Sequence, residues 1–180
     1  VDGITKYLTN TEFSFDHSFD EKDDNECIYR CTARPLIPFV LDGGNATVFA
    51  YGQTGSGKTH TMLGSPEDPG LIPRVLQYLF ASLGADAQKQ NPSMETRHIV
   101  RVSYVEIYNE RVTDLLDPGA GTKNLRENIK RGVYVDDLVE KEIRTSDDAV
   151  DWMEVGNSNR KITIIIKLYS CGVKVIDLIP

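Results

Sequence analysis

Gly52-Gln53-Thr54-Gly55-Ser56-Gly57-Lys58-Thr59 is the most informative segment of this chain. It fits the pattern of a phosphate-binding loop, in which a glycine and four further residues precede Gly-Lys-Ser/Thr. The glycines allow backbone conformations that other residues avoid, so the N–H groups of the loop can all face one phosphate chain. The pattern assigns the β- and γ-phosphates to Lys58 and a Mg²⁺ ion to the hydroxyl of Thr59.

The residues on either side supply the strand and the helix that this pattern needs. Residues 46–51 (ATVFAY) are apolar and of strand length, and residues 58–62 contain no Gly or Pro to interrupt a helix. A strand, a loop and a helix in this order are the arrangement in which the loop can bind phosphate. A chance glycine-rich turn is the alternative, which this context disfavours.

Size and composition indicate one soluble globular domain. The chain has 180 residues, of which 40% are hydrophobic, and a formal net charge of −7. The acidic balance argues against nucleic acid as the main partner, and no apolar run approaches the ~20 residues that cross a bilayer. The start Val1-Asp2-Gly3 lacks an initiator Met and signal-peptide character, so we expect an excised or truncated segment.

The cysteines indicate reduced, intracellular thiols. There are three, an odd number without a disulfide framework, and Cys27 and Cys31 are spaced by about one helical turn. A metal site would need further ligands, and the three histidines are scattered. Ordinary helix positions are therefore the favoured interpretation of the two cysteines.

Apolar spacing and turn residues predict the other elements. In chain order these are a strand over 12–19 with Phe13 and Phe15 on a buried face, an acidic loop over 20–26, a helix over 26–41 broken by Pro35 and Pro38, a helix over 71–83, a strand over 99–108, a helical turn over 112–118, strands within 133–143, and a helix capped by Ser146 that ends at Gly156. Strands that alternate with helices around the loop indicate an α/β domain with a central sheet. The ligand should lie beyond the carboxyl ends of the strands.

Residues 47–62 (TVFAYGQTGSGKTHTM) closely resemble the kinesin motor domain. Other segments agree with that family in order and spacing: residues 15–19, 70–74, 102–110, 114–116, 125–127, 132–135 and 156–160. The resemblance covers about residues 8–160. It implies an α/β, P-loop NTPase, kinesin-motor-like fold with a central mixed sheet flanked by helices, incomplete in this chain. Residues 29–36 (YRCTARPL) are somewhat similar to the microtubule-depolymerising subgroup.

The resemblance implies a motor ATPase that uses ATP and Mg²⁺ and binds microtubules in the cytoplasm, on the cytoskeleton, with no membrane or nucleic-acid partner. It gives the ATP site as Gly52, Gln53, Thr54, Gly55, Ser56, Gly57, Lys58, Thr59 and His60, with Thr59 on the metal. His60 would pack near the adenine; a surface histidine is the alternative. Lys130 and Arg131 fall where the family has a microtubule-facing loop. Residues 123–131 contain four basic residues and one acidic residue, a balance that would complement the acidic surface of tubulin. A plain solvated loop is equally open there.

The resemblance stops after residue 161. Kinesins continue with two switch segments, Asn-x-x-Ser-Ser-Arg-Ser-His and Asp-Leu-Ala-Gly-Ser-Glu, whereas this chain has ITIIIKLY at 162–169. Asp177-Leu178 matches only two residues of the second switch, so its role is not transferred, and no catalytic residue is assigned. We therefore divide the chain into residues 1–160, the amino-terminal part of a motor domain, and residues 161–180, a divergent strand-like tail. Altered splicing, a gene-model error and true divergence all remain open as its origin.

Two hypotheses of function follow. The first is an ATP-dependent microtubule motor, represented by its amino-terminal portion. The second is a non-catalytic nucleotide- or tubulin-binding fragment, which the missing switches favour for the isolated chain, because phosphoryl transfer needs groups around the γ-phosphate. A GTPase is disfavoured by the joint agreement of two segments with kinesin. The tail either replaces a missing sheet strand or stays exposed and promotes aggregation.

Overall fold

Five α-helices and nine strands lie in the part of the chain that the structure, a computed structural model, describes: residues 11–89, 98–129, 132–159, 165–169 and 173–177. The helices are α1 (Asn25–Cys31), α2 (Leu36–Leu41), α3 (Lys58–Met62), α4 (Leu71–Lys89) and α5 (Ser146–Asn159). The strands are β1 (Ala46–Ala50), β2 (Val100–Tyr108), β3 (Arg111–Asp114), β4 (Thr122–Lys123), β5 (Leu125–Asn128), β6 (Gly132–Val135), β7 (Lys141–Ile143), β8 (Ile165–Tyr169) and β9 (Val173–Asp177). A 3₁₀ helix spans Pro118–Ala120.

Seven of these strands form one mixed sheet, which confirms the predicted α/β class. The strand order is β1-β9-β8-β2-β3-β4, and β7 also pairs with β2. Strands β1 and β9 are parallel, and the other described pairs in the sheet are antiparallel. Strands β5 and β6 form a separate antiparallel hairpin.

The tail contributes the two strands that connect β1 to the rest of the sheet. Strand β9 pairs with β1 from Ala46↔Val173 to Ala50↔Asp177, and β8 pairs with β2 between residues 101 and 105. The structure therefore agrees with the alternative in which the tail supplies sheet strands. The division of the chain at residue 160 stays a prediction.

The core lies between the helices and one face of this sheet. Strand alternation turns Ala46, Val48 and Ala50 towards the helices, while Phe49 on the opposite face is 59% exposed. Helix α4 covers the core with its buried apolar face: Leu71, Ile72, Val75, Leu76 and Leu79. Each fully buried side chain of this size contributes about 1.5–3 kcal/mol. The predicted helix over 71–83 is confirmed, and it continues to Lys89.

The predicted break in the helix is confirmed at Pro35 and not at Pro38. Helix α1 begins after Asp24, whose Oδ1 accepts the N–H of Cys27 at 2.8 Å, and it ends at Cys31. Pro35 precedes α2, and Pro38 lies in the first turn of α2, where a missing N–H breaks no intrahelical bond. The predicted helix over 26–41 is therefore two helices.

Two sequence predictions about strands and turns are wrong. Residues 12–19 form no strand, and Phe13 and Phe15 are 75% and 74% exposed, with their rings 6.4 Å apart. Alternation alone cannot make a strand without a pairing edge and a surface to cover. The predicted helical turn over 112–118 is instead β3 followed by a turn, because Val112 is buried and pairs with Ile107 of β2.

The start of α5 differs from the prediction by one residue. The cap is Thr145 rather than Ser146: its Oγ1 accepts the N–H of Asp148, and Asp148 Oδ2 accepts the N–H of Thr145, both at 3.0 Å. This reciprocal pair is a capping box. The backbone N–H of Arg144 also bonds this carboxylate and holds the pKa of Asp148 below its usual range.

The sequence predicted that α5 ends at Gly156, and this is wrong. Gly156 lies inside α5, on the side that packs against the sheet. A Cβ atom there would lie 1.9 Å from Cδ1 of Tyr104, whose side chain is fully buried. Glycine at this position lets the helix approach β2 closely, and the Tyr104 hydroxyl donates to Asn157 Oδ1 at 2.7 Å.

We expect Gly156→Ala to lower the free energy of unfolding by about 1–3 kcal/mol, because the added methyl overlaps a ring that has no room to move. The matched control is Gly84→Ala in α4, where an added Cβ meets nothing within 4 Å. Gly84→Ala should raise stability by about 0.5–1 kcal/mol through helix propensity alone. Urea unfolding measures both; an equal gain in the two variants would contradict the close packing at Gly156.

Candidate functional site

The candidate site lies where β1 ends and α3 begins. A loop of residues 51–57, called the glycine-rich loop below, connects them at the carboxyl end of β1. Gly55 and Gly57 have φ values of +80° and +87°, in the left-handed region. Other residues adopt this region at a cost of about 1–2 kcal/mol, so the glycines make the path of the loop possible.

The loop folds closely on itself. The N–H of Ser56 donates to the carbonyl of Gln53 at 3.1 Å. A Cβ atom at Gly52 would lie 2.5 Å from Ser56 Oγ, so a larger residue there would push the two sides of the loop apart.

Lys58 brings a positive charge into this loop. Its side chain is 7% exposed, and its Nζ donates to the carbonyls of Gly52 at 2.5 Å and Gln53 at 2.7 Å. A buried ammonium needs such partners. A bound anion beside the loop would offer the same ammonium stronger, charged acceptors.

An open cleft of about 320 Å³ adjoins Lys58. Its lining residues all come from the glycine-rich loop and the first turn of α3: Thr54, Gly55, Gly57, Lys58 and Thr59. The first backbone N–H groups of a helix have no intrahelical partners, so those of α3 are free to donate into the cleft. The positive end of the α3 dipole lies on the same side. The cleft therefore has the chemistry of an anion site.

Five of the predicted residues 52–59 line this cleft, namely Thr54, Gly55, Gly57, Lys58 and Thr59. Gly52 and Gln53 do not line it, and their carbonyls accept from Lys58 Nζ. Ser56 does not line it either, and its ATP-binding role stays a prediction. His60 is exposed and is not among the lining residues; its role at the adenine stays a prediction. Lys130 and Arg131 lie outside the described residues, so their predicted contact with microtubules is also untested.

Two features beside the site were not assigned to it from the sequence. Asn25 is buried, and its side-chain amide donates to the carbonyl of His60 in α3, although its acidic surroundings predicted a solvated loop. Asp177 ends β9, and the parallel register sets it opposite Ala50, the last residue of β1. In the sequence, Asp177 is marked only as the carboxylate at the end of the largely apolar segment 173–177. That this segment pairs with β1 depends on the order of the strands in the sheet, which the sequence does not show.

The fold and the loop together define a class of protein. A glycine-rich loop that joins a strand of a mixed α/β sheet to a helix N-terminus is the P-loop NTPase-like arrangement. Among the described helices, none is long and apolar enough to cross a membrane.

Comparisons with known proteins give the family. The family model for the kinesin motor domain matches residues 2–165. The chain is 39% identical over 160 residues to the kinesin-like protein KIN-12D of Arabidopsis thaliana, and the match covers 84% of this chain and 6% of that protein. It is 43% identical over 153 residues to KIN-7L of Oryza sativa subsp. japonica, covering 85% of this chain and 23% of that protein.

A solved structure agrees with these relatives. The KIF14 motor, described as a dimer in a two-heads-bound state with AMP-PNP in complex with a microtubule, has a TM-score of 0.75 and 29% identity to this chain. That match covers 87% of this chain and 51% of the KIF14 chain. The protein therefore belongs to the kinesin motor-domain family, and it spans between 6% and 23% of the length of the two curated relatives named here.

Proposed function

We propose that this chain carries the phosphate-binding part of an ATP-dependent microtubule motor. The observation that carries the proposal is the Lys58 ammonium, held inside the glycine-rich loop next to a cleft at the start of α3. Membership of the kinesin family supports ATP as the nucleotide and movement along microtubules as the output. The proposed location is the cytoskeleton, in the cytoplasm.

The proposed roles of the site residues rest on the loop pattern and on the resemblance to kinesins. Lys58 would exchange its two loop carbonyls for the β- and γ-phosphate oxygens, and the N–H groups of the loop and of α3 would bind the same phosphates. The Thr59 hydroxyl would hold Mg²⁺, which neutralises charge on the phosphates during transfer. His60 matches a kinesin family position that packs near the adenine, and on that resemblance we assign it to the adenine.

We further propose that Asp177 contributes to the same metal site. Strands β1 and β9 are parallel neighbours, and the carboxyl ends of parallel strands meet at one edge of a sheet. A carboxylate on the strand beside the loop is the usual second anchor for Mg²⁺ in P-loop NTPases. Asp177 would therefore act together with Thr59, through the metal or its water.

The β5–β6 hairpin is the proposed contact with microtubules. Asn128 pairs with Gly132, and Ile129, which directly follows β5, is fully exposed. Lys130 and Arg131, the next two residues in the sequence, would add two positive charges that complement the acidic surface of tubulin.

A second candidate function is a nucleotide- or tubulin-binding segment without turnover. The observation that favours it is the printed sequence after residue 160, which contains no Ser-Ser-Arg-Ser-His pattern to sense the γ-phosphate. Microtubule-stimulated ATPase activity separates the two candidates. The motor hypothesis predicts turnover that rises with microtubule concentration in the full-length protein; the second predicts nucleotide binding with no such rise. For a polypeptide of these 180 residues alone, we expect weak nucleotide binding and no processive hydrolysis.

We expect Lys58→Met to weaken MgADP binding by at least about 100-fold, because the variant keeps the length of the side chain but loses a charge-assisted contact worth about 3 kcal/mol. Calorimetric titration measures the effect. Lys22→Met, in the exposed turn before α1, is the charge-matched control and should bind as the unchanged protein does. Equal affinities for the Lys58 variant and the control would contradict the proposed phosphate site.

Mg²⁺ should raise the affinity for ADP, and we expect Asp177→Asn to remove most of that gain. The affinity for ADP in the presence of EDTA should stay unchanged, because only the metal needs the carboxylate charge. Titrations with Mg²⁺ and with EDTA give both values. The control is Asp117→Asn, on an exposed turn. A Mg²⁺ dependence unaltered by Asp177→Asn would remove Asp177 from the metal site.

A further inference from the structure

Asn25 is a buried polar residue that connects α1 to the helix of the candidate site. Its side chain is 1% exposed, and its Nδ2 donates to the carbonyl of His60 at 3.1 Å and to the carbonyl of Asp68 at 3.2 Å. Its backbone N–H donates to Asp68 Oδ2 at 3.3 Å. One amide group therefore binds α3 and the turn after α3 at the same time.

That turn is fixed from its other side by Arg74 of α4. Arg74 Nη2 donates to Asp68 Oδ1 at 3.1 Å, and its Nε donates to the carbonyl of Pro69 at 2.7 Å. Its Nη1 pairs with Glu26, the residue next to Asn25. The Arg74 side chain is 20% exposed, so this network is partly shielded from solvent.

The end of α3 packs on the same turn through its backbone. The N–H of Gly70 donates to the carbonyl of Leu63 at 2.9 Å, and Gly64 forms a bridge with Pro69. A Cβ atom at Gly70 would lie 2.5 Å from the carbonyl carbon of Met62. Because there is no space between them, α3 cannot shift unless the turn shifts too.

Helix α3 needs these contacts because it has only five residues. A helix this short is not stable on its own in water, so its direction is set by what it packs against. Met62 is buried and holds α3 to the core, but apolar contacts are not directional. The hydrogen bonds of Asn25 fix the direction, and Lys58 and Thr59 stand at the other end of the same helix.

We infer that Asn25 is a positioning residue for the phosphate site: it holds α3 so that Lys58, Thr59 and the helix N–H groups face one phosphate chain. This inference rests on the proposed function for the nature of the ligand. It adds a residue from α1, 27 positions before the loop begins at Gly52, which no part of the loop pattern includes. A buried asparagine that only stabilises the fold is the alternative.

The test is Asn25→Asp in the full-length protein. The two side chains have the same shape, but the aspartate loses both N–H donors and turns oxygen towards two carbonyls. The matched control is Asp114→Asn in β3, which makes the reverse change at an equally buried position. Asp114 accepts the N–H groups of Leu116 and Val139 at 2.9 and 2.8 Å, so it ties together a different part of the fold.

Three measurements are made on each variant: the urea midpoint, the dissociation constant of MgADP, and hydrogen exchange of amides 61–64 without nucleotide. We expect both variants to lower the urea midpoint. Only Asn25→Asp should weaken MgADP binding, by about tenfold, or about 1.4 kcal/mol. Only Asn25→Asp should speed exchange at 61–64, again by about tenfold, because α3 loses its anchor.

Every other outcome contradicts either the positioning role of Asn25 or the proposed function. Unchanged affinity and exchange in folded Asn25→Asp reject the positioning role, and an equal loss of affinity in Asp114→Asn assigns the effect to stability alone. If the unchanged protein binds no MgADP, the proposed function fails, and the exchange data still decide whether Asn25 anchors α3. If Asn25→Asp does not fold, Asn25→Ser carries the same comparisons, because one hydroxyl donor cannot satisfy two carbonyls.

Discussion

The contact between the Lys58 ammonium and the carbonyls of Gly52 and Gln53 is the interaction on which the site depends. It requires a loop that closes on itself, which left-handed glycines at 55 and 57 allow. It also requires both ends of the loop to be fixed. Strand β1 is fixed by the sheet and by its apolar face, and α3 is fixed by Met62 and by the polar network around Asn25.

The features predicted correctly from sequence are those that local spacing determines. The strand before the loop, the loop, α4 and β2 each carry their pattern within one segment, and the break at Pro35 follows from the chemistry of proline. The five residues that line the cleft lie within residues 54–59, so one contiguous motif includes them all. Hence the fold class and most of the cleft could be predicted from the sequence.

The features that sequence analysis missed are set by partners far away in the chain. Residues 12–19 alternate as a strand does but have no pairing edge among the described residues, and residues 111–114 form a strand because β2 lies beside them. Asn25 follows four acidic residues within the preceding five, and only its contacts 35 and 43 positions away show that it is buried. Asp177 gains its significance from the parallel register with β1. Such facts depend on the fold and not on local composition.

Hydrogen exchange of the amides of residues 52–62, with and without saturating MgADP, tests the phosphate site most directly. We expect strong protection over the loop and the first turn of α3, because their N–H groups bind phosphate, with a smaller effect at β5 and β6. Saturating MgADP that leaves exchange at 52–59 unchanged, or that protects only a distant segment, would contradict the proposed phosphate site.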